Sequence, residues 1–100
     1  MDVVHDIARS RFVIAVGGSE AEIQYERVRD GVLDLKHTGV PPELQHRGVG
    51  DALAIAAFDY ARANGVRLVL TCPFLRRWIL SHPEQRDIVL WNRGDEPSSP

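Results

Sequence analysis

The stretch from Gly39 to Asp51 combines residue types that can bind a phosphate group. Gly48 and Gly50 lie where a loop is expected to turn into a long helix, so the unused N–H groups of the first helical turn can point at one anion. Neither glycine carries a side chain that would keep a phosphate away. Arg47 adds a guanidinium, a group that suits phosphate oxygens. The stretch predicts a diphosphate cradle, although glycines also start helices for structural reasons alone.

Cys72 is the only cysteine, so the chain cannot form an intramolecular disulfide. Pro73 follows it and is expected to open a second helix. A thiolate at a helix N-terminus is favoured by the helix dipole, so Cys72 is a candidate nucleophile. The alternative is that Cys72 is a small buried side chain that only fills space.

His37 is the candidate base, because an imidazole can take a proton from an amine or a thiol near neutral pH. The alternative is a hydrogen-bonded histidine on a core face. His5, His46 and His82 show no metal-ligand spacing with one another or with Cys72, and no metal site is expected.

Strand patterns dominate the chain ahead of the glycine loop. Residues 3–6 and 11–16 are apolar and β-branched, which predicts one interrupted strand or a strand after a short arm. Gly17-Gly18 and Asp30-Gly31 predict the turns of two antiparallel hairpins. In the third strand, strict alternation places Leu33, Leu35 and His37 on one face.

A helix is predicted from Gly48 to Asn64, with Gly65 as its left-handed cap. Its sheet-facing stripe at helical spacing comprises Val49, Ala52, Leu53, Ala56, Tyr60 and Ala63. Ile55 and Phe58 fall on the opposite side. We expect another segment, or the second subunit of a homodimer, to cover them.

The apolar run from Val66 to Thr71 predicts a buried parallel strand that the helix connects to the third strand. A second helix is expected from Phe74 to about Ser81, stopped by Pro83. Residues 87–90 are expected to form a last short strand. We expect one domain over residues 1–92 and a mobile tail over residues 93–100.

The glycine loop resembles the pyrophosphate-binding signature of the GNAT superfamily of N-acetyltransferases, Gln/Arg-x-x-Gly-x-Gly/Ala, at Gln45, Gly48 and Gly50. Cys72-Pro73-Phe74 and His82-Pro83-Glu84 are similar to motifs of the short, single-domain branch of that superfamily. The resemblance covers residues 4–89. It implies an α/β fold with a mixed sheet, mostly antiparallel with one parallel pair, and two main helices.

The resemblance also implies a cofactor and a site. The cofactor is acetyl-coenzyme A, with its pantetheine arm between two splayed strands and its thioester near His37 and Cys72. The residues that it assigns to cofactor binding are Thr38, Val40, Gln45, His46, Arg47, Gly48, Val49, Gly50 and Asp51. The helices that usually build the acceptor pocket are replaced by Gly17-Gly18-Ser19, so the acceptor side is expected to be open.

Composition narrows the function classes. The chain has 100 residues, of which 44% are hydrophobic and 26% charged, enough for one small domain with a core. A net charge of −2 argues against a nucleic acid or an anionic membrane as the main partner. No long apolar run predicts a signal peptide or a membrane span, and the cytoplasm is the expected compartment.

Three functions remain open from the sequence. The first is transfer of an acetyl group from acetyl-coenzyme A to an amine, either directly with help from His37 or by way of Cys72. The second is a binding module that holds coenzyme A or an acyl derivative without turnover. The third is a protein-interaction domain that uses the apolar surface at Ile55 and Phe58.

Overall fold

The computed structural model describes residues 2–91. Within them the chain forms five strands and two α-helices, which confirms the predicted α/β fold with one parallel strand pair. The strands are β1 (Val4–Asp6), β2 (Arg11–Val16), β3 (Ser19–Arg29), β4 (Val32–Gly39) and β5 (Arg67–Leu70), and the helices are α1 (Val49–Ala63) and α2 (Pro73–Trp78). Short 3-10 helices span Ile7–Arg9, Pro42–Leu44, Ile79–Ser81 and Pro83–Ile88. The expected tail at residues 93–100 lies outside the described residues.

The sheet has the order β1-β2-β3-β4-β5. The first four strands are antiparallel to their neighbours, whereas β5 runs parallel to β4. Gly17, Gly18 and Gly31 have positive φ at the two predicted hairpin turns, a conformation that glycine adopts without steric cost. Both predicted hairpins are confirmed.

The start of the chain differs from the expected single interrupted strand. Residues 4–6 and 11–13 form two antiparallel strands, with Val4 opposite Val13. The chain reverses through the 3-10 helix, where the Asp6 carboxylate accepts a hydrogen bond from the Arg9 N–H and Ser10 adopts a left-handed conformation. A local side-chain bond therefore helps to reverse the chain between the two apolar runs.

A bulge in β4 overturns the predicted facing of His37. Tyr25 pairs with Leu35 but Gln24 pairs with His37, so Lys36 is an extra residue on β4. Beyond it the alternation is inverted. Thr38 pairs with buried Ile23 and lies on the face of Leu35, whereas His37 lies with Gln24 on the other face and is exposed.

The two faces of the sheet differ in polarity. The helix face carries the buried side chains Phe12, Ile14, Ala21, Ile23, Leu33 and Leu35, which share one core with α1 and α2. The open face carries mostly polar side chains, including Glu20, Glu22, Gln24, Lys36 and His37, none of them buried. An antiparallel sheet with one face on the core and the other in water has this alternation.

Phe58 lies under another segment of the chain, which is one of the two covers expected for the outer side of α1. It is fully buried, and its ring packs on Trp78 with centroids 5.0 Å apart. Of the two residues expected outside, Ile55 alone is exposed. The segment that covers Phe58 is α2, so α1 is buried along two sides instead of one and the joint surface of Ile55 and Phe58 does not exist.

The chain after α1 follows the expected order with two changes. Gly65 ends the helix with φ of +65°, and β5 then pairs with β4 as predicted. β5 is not buried on both faces throughout, since its Arg67 is exposed. The strand expected at residues 87–90 is reduced to one parallel bridge between Leu68 and Val89, because the 3-10 helix begun by Pro83 runs to Ile88.

Candidate functional site

Helix α1 begins without a side-chain cap, as the glycine loop predicts. Its N-cap is Gly48, which has a φ of 75° and no side-chain oxygen to accept from the N–H groups of the first turn. His46 also has a positive φ, of 65°, which is uncommon outside glycine. The two left-handed residues turn the loop sharply into the helix. The amides that follow are available for an external anion.

The loop ahead of α1 is held by its own side chains. The Gln45 amide Nε2 donates to the Val40 carbonyl oxygen at 3.1 Å. The Ser19 hydroxyl donates to the Glu43 carboxylate at 2.7 Å, and this bond lowers the pKa of Glu43. Gln45 therefore acts on the loop itself, and its side-chain amide is already engaged with protein.

A cleft of about 600 Å³ opens at the start of α1. Seven of the residues that the resemblance assigns to the cofactor line this cleft: Val40, Gln45, His46, Gly48, Val49, Gly50 and Asp51. Thr38 and Arg47 are not among its lining residues, and Arg47 is exposed. The sequence signature therefore locates one continuous surface and not scattered positions.

Four more residues complete the wall of the cleft: Leu44, Phe74, Arg77 and Trp78. None of these four is among the residues that the resemblance assigns to the cofactor. Phe74, Arg77 and Trp78 stand at positions i, i+3 and i+4 of α2, the spacing of one helix face. That spacing is the signal that could have found them, once α2 was placed beside the glycine loop.

Phe74 packs directly on the first turn of α1. A Cβ atom at Gly50 would lie 2.9 Å from Phe74 Cζ and within 3.5 Å of two more ring atoms. The second glycine of the signature therefore has a packing role, because it lets an aromatic ring close one side of the cleft.

The two arginines of α2 point to different places. The Arg76 Nε donates to the Leu70 carbonyl oxygen at the end of β5, at 2.8 Å. Arg77 lines the cleft and brings a positive charge to it from α2. Of this pair, Arg77 is the one placed to meet an anion.

Asp51, Trp78 and His82 form a contact cluster at the base of the cleft. The Trp78 Nε1–H donates to Asp51 Oδ1 at 2.8 Å, and His82 Nε2 lies 3.7 Å from the same oxygen. The Trp78 and His82 rings are stacked, with centroids 3.8 Å apart and an angle of 12° between the planes. His82 Nδ1–H donates to the Trp78 carbonyl oxygen at 2.8 Å, since that oxygen can only accept. These contacts tie the first turn of α1 to the end of α2.

The parallel pairing of β4 and β5 ends just before Thr38 and Cys72. Their pairing ends at Leu35 and Leu70, and the N–H groups of Thr71 and Cys72 both donate to the Leu35 carbonyl oxygen. Beyond this point the Thr38 hydroxyl meets the Cys72 thiol, with 3.2 Å between oxygen and sulfur. The structure thus brings Thr38 and Cys72 together, and Cys72 is buried with 2% of its surface exposed.

The structure does not bring His37 and Cys72 to one face. Cys72 contacts Thr38, whose pairing with Ile23 puts it on the helix face, whereas His37 projects from the open face. His37 Nε2 lies 3.4 Å from the position that a Cβ of Gly39 would take. The two residues named from sequence as chemical groups flank the end of β4 on opposite sides.

Among residues 2–91, no three histidine, cysteine, aspartate or glutamate side chains are grouped as a metal site, and no helix is long and apolar enough to cross a membrane.

Known proteins are similar to this chain in sequence and in fold. A family model described as GCN5-related N-acetyltransferase matches residues 11–88. Protein NATD1 from Gallus gallus is 32% identical over 85 residues, which cover 83% of this chain and 77% of that protein. NATD1 from Danio rerio is 34% identical over 83 residues, with coverage of 81% and 76%. The NMR solution structure of a GCN5-like protein from Staphylococcus aureus superposes with a TM-score of 0.72 at 27% identity, over 91% of this chain and 89% of that one.

Proposed function

This chain belongs to the family of GCN5-related N-acetyltransferases, and on that premise we propose that it binds acetyl-coenzyme A in the cleft at the start of α1 and transfers the acetyl group to an amine. The observation that carries the proposal is the uncapped N-terminus of α1, which opens into a cleft on whose wall the glycine signature lies. A helix end of this kind binds phosphate through its free N–H groups and its dipole.

The residues of the cleft fit a diphosphate. The N–H groups of Gly48, Val49 and Gly50 would receive its oxygens, since no side chain caps the helix. Arg77 lines the same cleft from α2 and would balance part of the negative charge. Val40, at the end of β4, would offer backbone groups to the pantetheine arm.

Direct transfer is the route we favour. Acetyl-coenzyme A supplies a thioester whose carbonyl carbon accepts a nucleophile. An amine arriving from the open face would form the new C–N bond as the C–S bond breaks, and coenzyme A would leave as its thiolate. His37, exposed on that face at the end of β4, would accept the proton that the amine nitrogen loses, and return of that proton to the thiolate would give free coenzyme A and a neutral His37.

A second route passes through Cys72, and its contact with Thr38 beyond the last paired residues of β4 and β5 supports it. The Cys72 sulfur would attack the thioester, giving acetyl-Cys72 and free coenzyme A, and the amine would then take the acetyl group and restore the thiol. Because Cys72 is buried, the residues around it must move before the sulfur can react.

A binding module without turnover is the competing function. The observation that favours it is the placement of His37 and Cys72 on opposite faces of the sheet, together with the polar, uncovered open face. Such a module would bind coenzyme A or an acyl derivative in the same cleft and would not transfer the acyl group.

Thermal unfolding in the presence of coenzyme A tests the binding half. A ligand that binds only the folded state at a hundred times its Kd adds about 2.7 kcal/mol to the free energy of unfolding. For a domain of this size, we expect Tm to rise by roughly 10 °C or more. The Arg77→Gln variant is expected to show a smaller rise, and Arg27→Gln, on the exposed end of β3, serves as its control. An unchanged Tm at millimolar coenzyme A would refute the proposal.

Release of coenzyme A thiol on addition of a panel of amines tests the transfer half. Direct transfer predicts release that depends on the amine, falls strongly in His37→Gln and persists in Cys72→Ala. The Cys72 route predicts a mass increase of one acetyl group on the wild-type protein that is absent in Cys72→Ala. Binding without either signal would establish the module.

A further inference from the structure

Asp51 occupies a position from which its own carboxylate could cap the N-terminus of α1 and so occupy the N–H groups proposed to bind the diphosphate. With Gly48 as N-cap, Asp51 is the third residue of α1. An acidic side chain at this position commonly reaches back to accept from the N-cap N–H, as in the capping box. The helix dipole favours the same move, because it attracts negative charge to the first turn.

The carboxylate of Asp51 is held in another place. The Trp78 indole N–H donates to its Oδ1 at 2.8 Å, and His82 Nε2 lies 3.7 Å from the same oxygen. The helix keeps its N-terminus free of any side-chain cap.

Trp78 itself is fixed in position. It is 7% exposed and packs on Phe58 on one side, with centroids 5.0 Å apart. His82 stacks on it and donates to its backbone carbonyl. A buried indole N–H needs a partner, and in this setting the partner is Asp51.

We propose that Trp78, supported by His82, holds the Asp51 carboxylate away from the amides of Gly48 and Val49, and so keeps the cradle open for the diphosphate. This inference rests on the proposed binding of coenzyme A. Trp78 is then a positioning residue, because it acts on the ligand through Asp51. If released, Asp51 would compete with the ligand for the same N–H groups and would place a like charge beside it.

The principal test compares Trp78→Phe with the double variant Trp78→Phe, Asp51→Asn. Phenylalanine keeps most of the ring packing on Phe58 and removes the N–H donor. Capping by the freed carboxylate is expected to weaken coenzyme A binding about fivefold by titration calorimetry, equivalent to ~1 kcal/mol. The double variant is expected to regain most of the wild-type affinity. Asp59→Asn, which removes an exposed charge from the same helix outside the cleft, is the control and is expected to bind as the wild type does.

A second variant leaves the tryptophan intact. Asp51→Glu lengthens the side chain at the position where a capping box prefers glutamate, and this surface change is expected to leave the fold unaltered. We expect it to weaken coenzyme A binding too. Slower hydrogen exchange of the Gly48 amide in Asp51→Glu and Trp78→Phe, and not in the double variant, would report the cap directly without any ligand.

The outcomes separate this inference from the proposed function. A wild-type protein that does not bind coenzyme A refutes the proposed function, while the exchange of the Gly48 amide still tests the restraint on Asp51. A double variant as weak as Trp78→Phe would show that Trp78 acts by packing alone and would overturn the inference. Unchanged affinity and unchanged Gly48 exchange in both Trp78→Phe and Asp51→Glu would overturn it as well.

Discussion

The contact between Gly50 and Phe74 makes a prediction whose sign depends on the aromatic ring. A Cβ at Gly50 would lie 2.9 Å from Phe74 Cζ, whereas carbon atoms in good contact are about 3.5–4.0 Å apart. In Gly50→Ala the ring tip must therefore retreat by roughly 0.7 Å. Overpacking of this kind costs about 1–3 kcal/mol, while the replacement of a helical glycine by alanine returns ~0.5–1 kcal/mol. We expect a net loss in the free energy of unfolding, of up to about 2.5 kcal/mol.

The Phe74→Leu background removes the ring tip and reverses the expectation. In that background the same Gly50→Ala change is expected to stabilise the protein by about 0.5 kcal/mol or more, because alanine has a higher helix propensity than glycine and no ring tip opposes the added methyl group. The coupling between the two positions in a double-mutant cycle is then ~1–3 kcal/mol. Urea unfolding of the four proteins measures it.

Coenzyme A binding supplies the second measurement on these variants. Phe74 lines the cleft, so a ring that swings outward to make room for the added methyl group would occupy ligand space and weaken binding. The clash between the added methyl group and the Phe74 ring can therefore lower either the stability of the protein or its affinity for coenzyme A. Additive unfolding free energies together with unchanged affinity would refute the reasoning.

Three further predictions concern parts of the fold away from the cleft. Burial lowers the pKa of His5 more than the nearby charge raises it, so the unfolded chain binds the proton more readily than the folded protein does. The contribution of His5 to stability is therefore expected to be fully present above pH ~6.5 and to be lost as the pH falls below that value. The drop in Tm between pH 7.5 and pH 5.5 is expected to be larger in the wild type than in His5→Phe. Arg62 donates two hydrogen bonds to Asp87 and lowers its pKa, so NMR titration is expected to find that pKa higher in Arg62→Gln than in the wild type. Leu53 is fully buried, so Leu53→Ala is expected to cost about 2–5 kcal/mol in urea unfolding, and a cost under ~1 kcal/mol would contradict the assigned core.

Local patterns were sufficient for the elements with strong signals. The alternation in β3, the glycines at the hairpin turns and the helical spacing from Val49 to Ala63 each reflect a preference that neighbouring residues express by themselves. These elements were predicted in the right order and the right pairing. The glycine spacing likewise identified most of the cleft wall, because the loop and the first turn of α1 are contiguous in sequence.

Local patterns did not predict features that depend on how a strand or helix packs against its neighbours. The sequence Leu33-Asp34-Leu35-Lys36-His37 alternates without interruption, yet the register with β3 inserts Lys36 as a bulge and turns His37 outward. Phe58 fell outside a single apolar stripe because the stripe was drawn for one neighbour, whereas α1 packs on both the sheet and α2. The reversal at Ser10 has a local cause, the bond from the Arg9 N–H to the Asp6 carboxylate, but the apolar pattern on either side carries no sign of it.

The uncovered side of the sheet has a consequence for any thioester held at the end of β4. Water reaches His37 freely from that side, so the acyl group would meet solvent unless the acceptor itself shut solvent out. A small amine cannot do this, whereas a folded protein that lays a lysine-bearing surface against the strands can. An open site of this kind implies slow hydrolysis of acetyl-coenzyme A in the absence of an acceptor. A candidate acceptor that suppresses this hydrolysis would be one whose surface covers the site.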